Sequence, residues 1–178
     1  MPTDVTVFGA GTLIFIDAVA AAIALALLLY RKPGSTILRW TVAAVLTLLL
    51  SFLGAQIAAA LYNDPRPFVV GHYRPLIAHV ADNGFPSDHS LLAAAIVAVV
   101  AFARWLWTLP FVLLGGIVEA ARVGAGLHHP IDVVGSDGVV IIAALLASLL
   151  APAIARRLMP YVPDRLLNLV AAPEKTST

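Results

Sequence analysis

Five long apolar runs restrict what this chain can fold into. They cover about residues 6–30, 37–61, 87–107, 109–127 and 131–155, and charged residues, proline or glycine separate them. A helix of about 20 apolar residues crosses the hydrocarbon core of a bilayer, and 61% of this chain is hydrophobic. Because exposed backbone has no hydrogen-bond partner in lipid, we predict an all-α, polytopic membrane helix bundle with about five transmembrane helices.

The length and composition leave room for one domain. We expect residues 1–170 to form a single transmembrane domain and residues 171–178 to be a disordered cytoplasmic tail. The net charge of +1 and the lack of a basic tract argue against nucleic-acid binding. The chain has no cysteine, which excludes disulfides, thiolate metal sites and a cysteine nucleophile. Any metal would need histidine or carboxylate ligands, and the composition points to no cofactor.

The basic residues fall mainly on one side of the predicted bundle. Lysine and arginine collect on the cytoplasmic side of membrane proteins. If the chain has five spans, eight of its eleven basic residues lie at one face: Arg31, Lys32, Arg39, Arg104, Arg156, Arg157, Arg165 and Lys175. This bias predicts an N-terminus outside, a C-terminus in the cytoplasm and every histidine at the extracytoplasmic end.

Three short stretches gather charge and imidazole in this otherwise apolar chain. The first is Pro65-Arg66-Pro67, in which the two prolines restrict the backbone around the arginine. A planar guanidinium suits phosphate bidentately, so Arg66 is a candidate anion clamp and Pro67 supports it. The alternative is an interfacial arginine among lipid headgroups.

The second stretch, 86–89, directly precedes a long apolar run. Ser87 is predicted as the N-cap of the helix that follows, so that free backbone N–H groups near Asp88 open onto the outer face. Helix starts of this kind attract phosphate. His89 would stand one turn in, where it can donate a proton to a leaving oxygen. The alternative is an ordinary helix cap.

The third stretch runs from Arg122 to Asp132. If it is helical, Arg122 is buried about 9 Å from His128, at about 1.5 Å per residue. Pro130 begins the next helix, so Asp132 lies near its first turn, where it can accept a hydrogen bond from His128. A carboxylate that holds one imidazole nitrogen leaves the other free to attack. The alternative, for His128 and for His129, is a hydrogen-bonded interfacial histidine.

Together the stretches resemble the three-part signature of the type 2 phosphatidic acid phosphatase superfamily. The pattern is Arg-Pro, then Pro-Ser-x-His, then an arginine followed six residues later by histidine and four further on by aspartate. The matching positions are Arg66-Pro67, Pro86 to His89, Arg122, His128 and Asp132. The surrounding sequence, including His79 to Asp82, is most similar to the bacitracin-resistance type of undecaprenyl-pyrophosphate phosphatase. The resemblance covers roughly residues 55–140.

That resemblance implies a phosphoryl transfer without metal in a bacterial cytoplasmic (inner) membrane. The terminal phosphate would be held by side chains and backbone N–H groups of four residues: Arg66, Ser87, Asp88 and Arg122. His128 would attack phosphorus, His89 would protonate the departing oxygen and Asp132 would orient His128. Water would then hydrolyse the phosphohistidine. The implied partners are a lipid phosphate substrate and membrane lipids, and the oligomeric state is left open.

Two positions depart from the superfamily pattern. A lysine is expected seven residues before Arg66, where this chain has Ala59. A serine is often found before Arg122, where this chain has Ala121. Arg74, in the long loop, is a candidate replacement for the missing lysine.

Other polar residues are candidate supporting groups. Glu119 lies three residues before Arg122 and is predicted to pair with it on one helical face, with a proton relay as the alternative. Asp137 is a candidate support for the site, and Asp17 has no assigned role. Three residues of the long loop are predicted to lie at the rim, with substrate recognition as the alternative: His72, His79 and Asp82.

The leading interpretation is a membrane phosphatase that converts a polyprenyl diphosphate to the monophosphate. The alternative enzyme acts on another lipid phosphate, such as phosphatidylglycerophosphate, diacylglycerol pyrophosphate, phosphatidic acid or a lipid-linked sugar phosphate. A small transporter is the non-enzyme alternative. It is disfavoured because the histidines cluster at one face and no inverted repeat is evident.

Overall fold

The computed structural model describes residues 3–163. Over that range it contains seven α-helices: α1 (Thr3–Gly11), α2 (Leu13–Leu29), α3 (Gly34–Leu61), α4 (Pro67–Val70), α5 (Asp88–Arg104), α6 (Leu109–Gly124) and α7 (Pro130–Leu158). Short 3-10 turns follow α5 at Trp105–Trp107 and α7 at Met159–Tyr161. The predicted tail at 171–178 lies outside the described residues, as do Arg165 and Lys175.

Three helices are long and apolar enough to cross a membrane: α3, α5 with the turn after it, and α7. α1 and α2 make a fourth candidate if they count as one span, although they meet at a bend of 48°. The prediction of a single helix over 6–30 was therefore wrong. The helix is interrupted at Thr12, directly after Gly11, and glycine disfavours helix. The remaining predicted span corresponds to α6, which has only 16 residues. The described residues thus give three or four candidate spans by length and composition. The predicted all-helical membrane bundle is confirmed.

Small residues form the interior of the bundle, and large apolar residues form its outer surface. Buried positions are often alanine, as at Ala21, Ala93 and Ala147. By contrast, Phe15 is 66% exposed and Leu149 is 75% exposed. Small side chains let helices approach closely in a membrane, where lipid solvates the large ones. The exterior therefore suits contact with hydrocarbon.

Two groups of helices share one central member. α2, α5 and α6 pack around Ile14, Val100 and Val118. α3 and α7 pack around Val42 and Ala151, with α5 against them. α5 therefore contributes to both groups.

The two ends of the bundle differ in composition. Lys32, Arg39 and Arg156 lie where the α2–α3 turn meets the last turns of α7, with the end of α5 beside the first two. The opposite end consists of the last residues of α3 and α6 and the first residues of α5 and α7. All three polar stretches lie at this opposite end, because each of them borders a helix terminus there.

Candidate active site

The imidazole of His128 joins the first and third polar stretches. Its Nε2 lies 3.1 Å from Nη1 of Arg66 and 3.2 Å from Nη2 of Arg122. Arg66 is 6% exposed, Arg122 4% and His128 2%. Two guanidinium groups from distant parts of the sequence thus meet at one buried nitrogen.

The partners of His128 determine its tautomer. Its Nδ1 lies 3.0 Å from the carbonyl oxygen of Gly84 and 3.3 Å from Oδ2 of Asp132. A guanidinium only donates hydrogen bonds, whereas a carbonyl or a carboxylate only accepts them. The Nδ1–H therefore donates towards Gly84 and Asp132, and the Nε2 lone pair accepts from the two arginines.

Arg66 is held from the long loop by Asp82. Nε of Arg66 donates to Oδ1 of Asp82 over 2.6 Å, and Nη1 also donates to the carbonyl oxygen of Leu127 over 3.2 Å. The bond to Arg66 holds the pKa of the Asp82 carboxyl below its usual range. Arg66 is also the N-cap residue of α4, which begins at Pro67. Asp82, predicted as a rim residue, is thus a direct partner of the site.

A short β-bridge joins the first and second stretches. Pro65 pairs with Asn83, and the N–H of Gly84 donates to the carbonyl oxygen of Asp64 over 2.8 Å. The Asn83 side chain accepts from the N–H of Asp64 over 2.9 Å. This pairing positions the Gly84 carbonyl that accepts from His128. Sequence reasoning missed Asn83, although an Asn-Gly pair is a known turn signal.

The end of α6 brings Arg122 to His128. The helix stops at Gly124 instead of continuing to 127, and Gly126 has a φ of 71°. That left-handed conformation favours glycine because it has no β-carbon. The expected separation of about 9 Å assumed a continuous helix. It was wrong because the chain reverses at Gly126 and brings the two side chains into contact.

Backbone and hydroxyl groups join the starts of α5 and α7. Ser87 is the N-cap of α5, as predicted, and its side chain accepts from the N–H of Ser90 over 3.5 Å. The N–H of Ser87 donates to the carbonyl oxygen of Asp132 over 3.3 Å. Oγ of Ser136 lies 3.0 Å from the Ser87 carbonyl oxygen and 2.7 Å from that of Asp132. α7 begins at Pro130, as predicted, which puts Asp132 in its first turn.

Arg66 is ion-paired with Asp82, whereas Arg122 has no acidic partner among residues 3–163. Burial, Arg122 and Arg66 lower the pKa of His128 to about 3, so its ring is neutral at physiological pH. Nε of Arg122 is buried without a hydrogen-bond partner among residues 3–163. No hydrogen bond to a described residue uses Nη2 of Arg66. Buried guanidinium groups with unused donors favour an anion between them.

His89 lies near this centre but does not contact His128 directly. It is half-buried in the first turn of α5, and Arg122 and Asp88 are among its charged neighbours. Within the described part of the chain, the bonds of the His128 ring go to other groups. Asp88 is exposed at the first position of α5. His89 therefore lies at the start of α5 within electrostatic range of Arg122.

An adjoining cluster contains groups that metal ions bind. One ligand atom from each of Asp64, His129 and Asp132 lies within 4.8 Å of the others, and imidazole and carboxylate are common metal ligands. Nδ1 of His129 lies 2.9 Å from Oδ2 of Asp64, and the N–H of His129 donates to Oδ2 of Asp132 over 2.9 Å. Hydrogen bonds thus already link the three residues, and the metal-free site stays a prediction.

The predicted pairing of Glu119 with Arg122 is wrong. Glu119 instead contacts the carboxyl of Asp137, and both acids line a groove between α5, α6 and α7. Arg122 donates from Nη1 to the carbonyl oxygen of Ala10 over 3.2 Å. Asp137, predicted as a support for the site, therefore faces the groove. Its sequence neighbour Ser136 is the residue that hydrogen-bonds at the site. Arg74 is exposed and is not among the charged neighbours of His128, so its phosphate contact stays a prediction.

Comparison with known proteins gives one family and three relatives. The PAP2 superfamily profile matches residues 40–159, a range that includes all three polar stretches. "Undecaprenyl-diphosphatase BcrC" of Bacillus subtilis (strain 168) is 41% identical over 85 residues, which are 48% of this chain and 44% of that protein. "Bacitracin transport permease protein BcrC" of Bacillus licheniformis is 29% identical over 136 residues, or 73% of this chain and 65% of that protein.

A third relative carries a similar name. "Putative undecaprenyl-diphosphatase YbjG" of Escherichia coli (strain K12) is 32% identical over 101 residues, which are 55% of this chain and 50% of that protein. The chain thus spans about half to two thirds of the length of the curated relatives it matches. No solved structure matches it significantly.

We expect the His128 ring to stay neutral, with its proton on Nδ1, from about pH 5 to pH 8. The pKa of an unperturbed histidine is near 6.5. The lowered pKa of His128, about 3, places its protonation well below pH 5. Nitrogen-15 spectra of histidine-labelled protein in micelles measure the tautomer, and His128→Ala assigns the signal. A His128 ring that becomes charged near pH 6 in anion-free protein would contradict the deduced hydrogen bonds.

Proposed function

The chain belongs to the PAP2 superfamily, and we propose that it is a membrane lipid phosphatase that removes the terminal phosphate of a polyprenyl diphosphate. The observation that carries this proposal is the neutral Nε2 of His128, which faces two buried guanidinium groups. A phosphoryl group that entered between them would receive their N–H donors. The Nε2 lone pair would then be free to attack phosphorus.

The first step transfers the terminal phosphoryl group to His128. A bond forms between Nε2 and phosphorus as the bond from phosphorus to the bridging oxygen breaks. Arg66 and Arg122 stabilise the charge on the equatorial oxygens, which is the main requirement of a loose phosphoryl transition state. Ser87 and the backbone N–H groups at the start of α5 add donors on the other side.

His89 and Asp132 handle the proton and the new positive charge. His89 is protonated once the anionic substrate binds beside it, and it donates that proton to the bridging oxygen, which leaves as part of the lipid monophosphate. The His128 ring becomes cationic when Nε2 bonds phosphorus, and the Asp132 carboxylate stabilises it through Nδ1–H. In the second step, the oxygen of a water molecule bonds to phosphorus, the bond from phosphorus to Nε2 breaks, and His89 takes a proton from that water. Inorganic phosphate leaves, and His128 is free again.

A groove beside the site supports a lipid substrate. It has a volume of about 520 Å³, lies between α5, α6 and α7, and is lined mainly by apolar residues. Two of its lining residues are Ala93 and Glu119. Ala93 follows His89 by about one turn of helix, and Glu119 precedes Arg122 by about one turn. The groove therefore begins next to the anion position, as a tail attached to the leaving phosphate requires.

The distribution of charge supports an extracytoplasmic site. Lys32, Arg39 and Arg156 lie at the end of the bundle opposite to His128. Basic residues favour the cytoplasmic side, so the site would face outward. Phosphate would then be released outside the cytoplasm.

Hydrolysis of another lipid phosphate uses the same groups, and the choice depends on headgroup and tail. A transporter is less well supported, because the arginines and histidines of the site lie at one end of the bundle. A panel of lipid monophosphates and diphosphates, with phosphate release as the readout, tests the substrate class directly.

Replacing His128 with alanine is expected to lower phosphate release from undecaprenyl diphosphate by at least about 1,000-fold, because the nucleophile is lost. The wild-type enzyme should also trap an acid-labile, base-stable phosphoryl label at His128 after an alkaline quench. His72→Asn is the matched control, since His72 is an exposed loop histidine with a left-handed φ of 52° that asparagine tolerates. Near-normal turnover by His128→Ala would exclude His128 as the nucleophile.

Chelation of divalent ions is expected to leave turnover within about two-fold of its value in untreated enzyme, because the arginines supply the charge stabilisation. The measurement is phosphate release in excess EDTA, with and without added Mg²⁺ or Zn²⁺. A strict metal requirement, removed by Asp64→Asn, would instead assign a metal to the Asp64, His129 and Asp132 cluster.

Filling the groove is expected to impair binding of long-chain substrate. A β-carbon added at Gly116 meets nothing within 4 Å, and Gly116 lines the groove. Gly116→Leu should raise KM for undecaprenyl diphosphate about 10-fold with kcat retained, since displacing two methylene groups costs about 1.6 kcal/mol. The matched control is Gly138→Leu, which has equal space but is not among the groove-lining residues. An unchanged KM in Gly116→Leu would place the tail elsewhere.

A further inference from the structure

His79 has no part in the steps above, although the chain on both sides of it is anchored near the site. It lies in the loop between α4 and α5, which is attached to the bundle on both sides of it. Before it, Ile77 packs against a buried cluster that includes Leu127. After it, Asp82 accepts from Nε of Arg66 over 2.6 Å. Three residues of chain reach about 10 Å at most, so the His79 backbone lies within that distance of the Asp82 backbone.

Charged groups at the site act electrostatically on His79. Its electrostatic neighbours are Arg66, Arg122, Asp82 and Asp88. It is in turn a neighbour of His89 and of His128. Its imidazole is exposed, and none of its ring atoms hydrogen-bonds a residue within 3–163. The ring is therefore available to a ligand at the mouth of the site.

The proposed reaction separates the two phosphates of a diphosphate headgroup. The terminal phosphate contacts Arg66, Arg122 and His128, which are all buried. The second phosphate carries the leaving oxygen, so it lies on the His89 side. His79 is an exposed histidine within electrostatic range of His89.

We propose that His79 is a specificity-determining residue that donates a hydrogen bond to the second phosphate of a diphosphate headgroup. This inference rests on the proposed function. It predicts that the His79 imidazole alone makes the chain prefer diphosphates to monophosphates. Arg66, Arg122 and His128 would bind the terminal phosphate of both kinds of ligand equally well. Asp82 has a related role, because it fixes both the loop and Arg66.

Substrate charge would change the protonation of His79. In the empty site, partial burial, Arg66 and Arg122 lower the pKa of His79, and Asp82 and Asp88 act against that change. A bound diphosphate neutralises the two arginines and adds negative charge beside the ring. Binding should therefore favour the charged imidazole, which is the stronger donor to a phosphate oxygen.

The test compares ligands with one and two phosphorus groups that the enzyme does not cleave. Calorimetry on the purified full chain in detergent measures Kd for methylenediphosphonate and for methylphosphonate. His79→Asn should weaken methylenediphosphonate about 10-fold or more, as expected for a hydrogen bond to a charged group, and leave methylphosphonate within about two-fold. His72→Asn, in the same loop, should change neither Kd.

A pH series and a rescue variant separate this role from a structural one. The wild-type preference for methylenediphosphonate should fall as pH rises and the ring loses its proton. His79→Lys should keep the preference and remove its pH dependence below about pH 9, because a lysine stays charged there. Equal weakening of both ligands in His79→Asn, no weakening of either, or no binding by the wild type would overturn the inference.

Failure of this inference differs visibly from failure of the proposed function. A wild-type chain that releases no phosphate from any lipid phosphate would refute the enzyme. A wild-type chain that hydrolyses undecaprenyl diphosphate, with His79→Asn binding both phosphonates normally, would refute only the role of His79.

Discussion

Two buried guanidinium groups that face one neutral imidazole are the interaction on which the rest of this structure depends. Arg66 and Arg122 each donate to Nε2 of His128, and charge of this kind is costly at the edge of a membrane. Hydrogen bonds to backbone carbonyls and to Asp82 offset part of that cost. Nε of Arg122 and Nη2 of Arg66 keep donors that an anion can use.

Much of the site is held together by the backbone rather than by side-chain pairs. Gly84 receives the Nδ1–H of His128, Ser87 donates to the carbonyl of Asp132, and Ser136 links α5 to α7. These bonds join helix ends, where backbone groups lack partners within their own helix. Helix termini thus provide the contacts that hold the arginines and His128 in place, and such preorganisation is what the proposed phosphoryl transfer requires.

The bundle beneath the site suits a substrate with a charged head and an apolar tail. Small residues bring α5, α6 and α7 close together and leave a groove that begins about one turn from the arginines. Glu119 and Asp137 are close neighbours in the lining of that groove. Neither forms an ion pair with an arginine of the site among the described residues.

The sequence by itself determined the all-helical membrane bundle and the end of it at which polar groups gather. Hydropathy sets helix length, and the N-cap at Ser87 and the helix start at Pro130 are local properties of the chain. Only the tertiary structure decided the partners of each charge. The reversal at Gly126, the Asp82 bond to Arg66 and the separation of Glu119 from Arg122 all depend on chain direction and long-range packing, which periodicity and spacing along one helix do not contain.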